Sequence, residues 1–363
     1  MARATTLHID LSAISTNVVT VRTRIGAQKL MAVVKADAYG HGAVQVAKHI
    51  EGQVDALAVA MTEEAITLRE AGVAAPILVL EGPQSEDEIG LMAEMALWPT
   101  IHHSEQLTWC GQHASLLSAA WLKLDTGMHR LGFSSDTLPQ ALSAVHAAGI
   151  TDITLMSHLA TAEHPDADLT SFQLAAWQEQ LKDWQGAVSL HNSAAARTRS
   201  TGASDWARLG YALYGGQING LPNDETLRPA MRFTTSVLTL RDVKRGESVG
   251  YGGRWVAQRD SRIATLPVGY ADGYPWAARD GAPIGIAGHI APLAGRVSMD
   301  MVTVDVTDCA HIEVGTPAVL WGSQPSVDEA AQYCNTIGYE LMKIGRAHVR
   351  TPVTSLSRMP SSA

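Results

Sequence analysis

The stretch AVVKADAYGHG, residues 32–42, decides how the chain is read. An apolar run ends on a lysine, and a small-residue turn with a tyrosine and a histidine follows. An ammonium is strongly hydrated, so a lysine closing a buried strand is costly unless it has a use there. KLMAVVK (29–35) reads as a strand with Lys35 at its carboxyl end. Gly40 and Gly42 then let the backbone turn tightly into a helix that opens within ADAYGHGA, and Tyr39 projects back toward the strand end.

The same texture recurs downstream. DALAVA (55–60), PILVL (76–80), ALWPTI (96–101), AAWLKLD (119–125), ITLMSH (153–158), AVSLH (187–191) and WARLG (206–210) all read as strands. Segments of helical periodicity such as SFQLAAWQEQLKDW (171–184) separate them. About eight strands alternating with helices predict a parallel (β/α)8 TIM-like barrel. A doubly wound open sheet is the rival, but no glycine-rich fingerprint follows the first strand. After LPNDETLRPA (221–230) the runs shorten and glycine-bearing turns separate them, with little helical pattern until about residue 327. The expectation is a barrel over 1–230 and a mostly β C-terminal domain over 231–363, with an atypical tail from about 343.

The totals exclude several classes. The 363 residues are 46% hydrophobic, and the net charge of -9 is spread without long runs of one sign, so neither a nucleic-acid stripe nor a polybasic membrane patch is present. Cys110, Cys309 and Cys334 lie far apart, which argues against a disulfide framework or a zinc site and for a reducing cytoplasm. The start, MARATTLHIDLSAI, has no apolar signal core, and no stretch is long enough to span a bilayer.

Barrel chemistry collects at the carboxyl ends of the strands. Those ends carry Lys35, Leu80, Asp125 with Arg130, His158, Asn192 with Ser193, and Arg208 with Gly210. Taken singly, each is as well read as a solvated or scaffold residue; together they converge on one face. An apolar, cationic surrounding lowers the pKa of a lysine and frees its amine for Schiff-base formation. At the last two strand ends, the Ser193 hydroxyl and the backbone N–H groups of Gly210 and Tyr211 form a candidate phosphate cradle. A Schiff-base lysine and a phosphate cradle together point to pyridoxal 5'-phosphate.

VVKADAYGHG closely resembles the cofactor-attachment motif of alanine racemases. The resemblance runs in order through KLDTGMHRLG, SHLATAE, HNSAA, ARLGYALYG, GYGGRW, PVGYADGYP, GRVSMD and TIGYELM. It implies interconversion of L- and D-alanine, supplying D-alanine for peptidoglycan, by a homodimer with shared active sites. Lys35 would bind the cofactor and move the α-proton on one face, and Tyr251 from the other subunit would act on the opposite face. Arg208 would meet the pyridine nitrogen, with His158 packed against the ring. Tyr39, Ser193, Gly210 and Tyr211 would cradle the phosphate, with Leu80 and Asn192 beside the cofactor. Arg130 would meet its phenolic oxygen and the substrate carboxylate, which Tyr270 and the Met299 N–H of the partner would also reach. Arg296, Asp300 and Trp276 would line the access corridor. Two residues keep a plainer reading: Tyr251 as an aromatic in a glycine turn, and Lys123 paired with Asp125. Strand alternation puts Trp121, Lys123 and Asp125 on one face, and the resemblance implies a carbamylated Lys123 bracing Arg130.

The chain departs from the family in two places. Trp276 stands where an arginine is usual, and the close reads KIGRAHVRTPVTSLSRMPSSA (343–363) where a cysteine, an apolar step and RVP are expected. The latter reads as adapter-derived sequence joined to a shortened gene of environmental origin. Rival functions weigh less. Basic amino-acid decarboxylases place a cysteine where this chain has Tyr251, carrier proteins for the cofactor lack the β domain, and broad-specificity racemases carry an export signal.

Overall fold

A computed structural model describes residues 4–343 except 114, 116 and 199–201, together with the backbone of 353–355. A first strand, β1 (Thr6–Ile9), precedes the helix Leu11–Ile25, whose start is capped by the Asp10 carboxylate. Eight parallel strands then close into a barrel: β2 (Lys29–Val33), β3 (Ala56–Val59), β4 (Ile77–Val79), β5 (Leu97–Ile101), β6 (Ala120–Lys123), β7 (Ile153–Met156), β8 (Ala187–Ser189) and β9 (Trp206–Leu209). The alternating strand and helix pattern is thus a closed (β/α)8 barrel.

These strands are mostly apolar because each is covered on both sides. Met31, Val33, Ala56, Ala58, Leu78, Trp121, Met156 and Trp206 fill the barrel interior. Two indoles, Trp121 and Trp206, meet edge to face with ring centroids 5.6 Å apart, opposite the small side chains of Ala56 and Ala58. The Lys29 ammonium sits 5.0 Å from the Trp206 ring, at the end of β2 opposite Lys35. Residues of the other parity, such as Leu30, Ala32 and Leu57, pack outward against the helices.

The C-terminal part is mostly strand, as the short runs after 230 predict. A six-stranded sheet and a three-stranded sheet pack around Phe233, Trp321 and Tyr274. One feature was not visible in the sequence: β1 pairs antiparallel with Met231–Ser236, so the amino-terminal strand belongs to this second sheet. The chain therefore starts in one layer and returns to it after building the barrel. Buried Asn17 ties the first helix to this return, donating to Leu213 O and Arg228 O and accepting the Arg228 N–H. No helix among the described residues is long and apolar enough to cross a membrane.

The atypical tail lies almost wholly outside the described residues. Within it, Lys343 and the backbone of Val353–Ser355, paired parallel to β1, are described.

Candidate active site

Lys35 does not end an extended strand as expected. The strand stops at Val33, and Lys35–Gly40 forms a single left-handed turn, with φ of 54, 56, 52 and 55° at Ala36, Asp37, Ala38 and Tyr39. Left-handed geometry costs a residue with a Cβ roughly 1–2 kcal/mol, so surrounding bonds must hold the turn. The Gly42 N–H donates to Asp37 O at 3.0 Å, the Ala43 N–H to the Asp37 carboxylate at 2.7 Å, and the Ala38 N–H to Val34 O at 2.8 Å. The glycines at 40 and 42 do take positive φ, 80 and 87°. The helix proper begins only at Ala43.

The turn faces a cavity of about 640 Å³ at the carboxyl ends of the strands, the size of a small-molecule site. Lys35, Tyr39, Leu80, Lys123, Arg130, His158, Asn192, Ser193, Arg208, Gly210 and Tyr211 all line it. Four of these are lysines or arginines, and among the described residues no ion pair holds Lys35, Lys123, Arg130 or Arg208. Converging cations without carboxylate partners make a site for anionic groups.

The electrostatics follow from this crowding. Burial, and then the Arg130 guanidinium, hold the Lys35 amine below its usual range, while Glu81 and Glu64 oppose them. Lys123 is brought down to about 7 by burial, then by Arg208, Arg130 and Lys35. The same strand alternation places Trp121 in the barrel core and Lys123 in the cavity. Asp125 departs from it. Past the end of β6 its carboxylate accepts the N–H groups of Gly127, Met128 and His129 and meets the His129 ring at 3.1 Å. It does not line the cavity, and Lys123 is not paired with it.

Arg208 is buried and stays protonated at neutral pH, although burial brings it down to about 10. Its guanidinium donates to Ser189 Oγ at 2.5 Å and to Ser157 O at 2.6 Å, with His158 Nδ1 at 3.4 Å. Burial, and then Arg208, hold His158 well below its ordinary pKa, so the ring is neutral. Arg208 on β9 is thus held by groups at the ends of β7 and β8.

The expected cradle lies just past the ends of β8 and β9. The Ser193 hydroxyl oxygen stands 3.4 Å from the N–H groups of both Gly210 and Ala212, at the start of the short helix Tyr211–Tyr214. A Cβ at Gly210 would lie 2.6 Å from the Tyr39 hydroxyl oxygen, so any larger residue there would displace Tyr39. Asn192 supports this corner through its side chain, which accepts the Ala195 N–H and donates to Leu159 O. Burial pushes the Tyr39 hydroxyl up to about 12, keeping it a neutral donor.

The remaining expected residues lie elsewhere. Tyr251, Tyr270, Met299, Trp276, Arg296 and Asp300 belong to the C-terminal domain and do not line this cavity. Tyr251 is 71% exposed, Trp276 56%, Met299 51% and Tyr270 42%, a group of large side chains left uncovered by their own chain. The Arg296 guanidinium lies 5.4 Å from the Trp276 ring. Conversely, Glu81, Glu163, Asp328, Tyr339 and Lys343 line the cavity without having been singled out. Tyr339 sits in the TIGYELM motif and could have been found there; Asp328, in an ordinary helical stretch, gave no signal.

Comparisons with known proteins agree with this arrangement. The family model described as "Alanine racemase, N-terminal domain" matches residues 9–218, and "Alanine racemase, C-terminal domain" matches 230–352. An alanine racemase of Xanthomonas campestris pv. campestris is 43% identical over 340 residues, covering 92% of this chain and 94% of that protein. One from Chromohalobacter salexigens is 41% identical over 353 residues, covering 94% and 95%. The crystal structure of the biosynthetic alanine racemase from Pseudomonas aeruginosa superposes with a TM-score of 0.92 at 40% identity, covering 98% of this chain and 100% of that one. With both halves matched and identity above 40% over more than nine-tenths of its length, the chain belongs to the alanine racemase family.

Proposed function

We propose that this protein interconverts L- and D-alanine with pyridoxal 5'-phosphate, using Lys35 and, across the substrate, Tyr251 of the partner subunit. The observation that carries the site assignment is the Lys35 amine, held below its usual pKa among Lys123, Arg130 and Arg208 with no ion pair to satisfy them. The residues fit the cofactor. The hydroxyl and N–H groups around Ser193 and Gly210 suit a phosphate, Gly210 lets the Tyr39 hydroxyl approach the same corner, and a lysine just past β2 suits an aldehyde.

When bound, the cofactor withdraws electrons from the substrate's Cα and so acidifies its proton. Lys35 takes or returns that proton on one face through its neutral amine. Tyr251 does the same on the other face, and the exchange of faces inverts the centre. Arg208 would meet the ring nitrogen as a donor that keeps its own proton, which would limit charge withdrawal and side reactions; neutral His158 braces Arg208. Tyr39, Ser193, Gly210 and Tyr211 would hold the phosphate, and Leu80 and Asn192 would bound the cofactor. Arg130 holds the substrate carboxylate together with the Tyr270 hydroxyl and Met299 N–H of the partner subunit. A carbamate on Lys123 supplies the anion that Arg130 lacks, which the near-neutral pKa of this amine favours. Arg296, Asp300 and Trp276 line the access corridor.

The homodimer follows from the two-face chemistry and from the uncovered side chains around Tyr251. The test is incubation of purified protein with L-alanine, L-serine and L-lysine, followed by chiral analysis. D-Alanine is the expected main product. Absence of D-alanine, or faster turnover of serine or lysine, overturns the assignment.

A further inference from the structure

A carboxylate from a neighbouring helix grips the turn that carries Lys35. Glu64 lies in the first turn of the helix Thr62–Glu70 and is half-buried. Its Oε1 accepts the Ala36 N–H at 2.6 Å, and its Oε2 accepts the Ala60 N–H at 2.8 Å. Ala36 directly follows Lys35 and is the first of the four left-handed residues; Ala60 directly follows β3. One side chain therefore joins the ends of two adjacent barrel strands and holds the strained backbone at its first residue. Both bonds are charge-assisted, about twice as strong as neutral ones.

We propose that Glu64 is a positioning residue for the reactive amine: it holds the left-handed turn that aims Lys35 into the cavity and sets a negative charge beside it. The role rests on the reading of Lys35 as the reacting group. Without the grip, the Ala36 N–H loses its acceptor and less opposes relaxation from φ 54°, since the right-handed and extended regions are lower in energy for alanine. Any such relaxation rotates the peptide next to Lys35 and swings its amine. Asp37 grips the far end of the turn through the Ala43 N–H, so the two carboxylates fix it at both ends.

The charge acts separately from the grip. Lys35 is faced by Arg130 from the loop after β6, by Lys123 from β6 itself, by His158 after β7, by Lys343 near the described end, and by Glu81 after β4. Arg130 and Lys343 disfavour its charged form; Glu81 and Glu64 favour it. Removing the Glu64 charge therefore moves protonation at Lys35 to lower pH.

Glu64→Gln tests both parts on the holoenzyme, since an amide keeps one acceptor and turns the other into a donor facing an N–H. The expected result is a kcat for L-alanine lower by about 10- to 100-fold with KM within about threefold. The pH titration of the visible absorbance of the lysine-bound cofactor should also move to lower pH than in the unaltered protein. Glu64→Asp keeps the charge on a shorter arm, so it should restore the titration while leaving kcat reduced. If Glu64→Gln does not fold, Glu64→Asp is decided by the same two readings. An unmoved titration in Glu64→Gln, or activity that falls only in step with thermal stability, overturns the proposal. Lys35→Ala, measured alongside, should lose the visible absorbance and the activity. If it keeps them, the reading of Lys35 fails; if it loses them while Glu64→Gln behaves normally, only the role of Glu64 fails.

Discussion

The Tyr211 hydroxyl donates to Asp328 Oδ1 at 2.5 Å, linking the short helix after β9 to a helix of the C-terminal domain. The other carboxylate oxygen accepts the Gln217 N–H at 2.8 Å, and the Tyr211 ring stacks on Tyr339 with centroids 3.6 Å apart. All four residues line the cavity, so its wall belongs to both parts of the chain. Asp328→Ala leaves a buried hydroxyl and an N–H without their acceptor. The expected loss is about 2–3 kcal/mol of stability together with weaker retention of cofactor, measured by urea denaturation and dialysis. A loss below about 0.5 kcal/mol would show the link to be incidental.

The two proposed proton carriers should act in different chains. Tyr251→Phe should keep the cofactor and lose racemisation, while exchange of the α-proton persists on one face. Mixing it with Lys35→Ala should restore activity, because one site of each mixed dimer has both groups intact. Random exchange gives about a quarter of the unaltered activity. Mixtures that stay inactive, although mixed dimers are seen by mass spectrometry, would rule out sharing of the site.

The Trp276 ring holds the Arg296 guanidinium at 5.4 Å. Such a contact contributes about 0.5–1 kcal/mol at an exposed site. Trp276→Ala should raise KM for L-alanine about two- to fivefold with little change in kcat, and Trp276→Phe should recover most of it. Steady-state kinetics decide this; an unchanged KM in the alanine variant means the stack has no hold on the corridor.

Lys123 gives a pH dependence whose sign can be fixed. It titrates at about 7 in the folded chain, mainly through burial, and near about 10.4 when unfolded. Between these values the unfolded chain binds the extra proton, so this group makes stability rise with pH from about 7 to about 10. Below about 7 both states are protonated, and its contribution is flat. In buffer freed of carbon dioxide, the stability of the unaltered protein relative to Lys123→Met should grow across that window. A difference that stays level would remove the buried ammonium from the account. Adding bicarbonate should then raise the activity of the unaltered protein, as a carbamate at Lys123 requires.

Much of this was legible in the chain. Continuous apolar runs separated by helical periods mark strands covered on both sides, and eight of them close a barrel. Residues at the strand ends, Lys35, His158, Ser193 and Arg208 among them, therefore had to meet at one face, whatever the details between. The inward direction of Lys123 followed from alternation with Trp121, since both lie within one strand. Local pattern carries such information because side-chain direction in a strand depends only on parity.

The amino-acid order alone determined the barrel, its glycine-marked turns and the set of groups gathered at its mouth, because periodicity and residue chemistry are local properties. Only the tertiary structure decided that Lys35 sits on a left-handed turn gripped by Glu64, that Asp125 turns away to cap its own loop, and that β1 joins the distant sheet. Each of these depends on partners far along the chain or on a backbone choice that alanine disfavours by itself. Such choices are settled by packing and hydrogen bonds that form only when the remote segments meet.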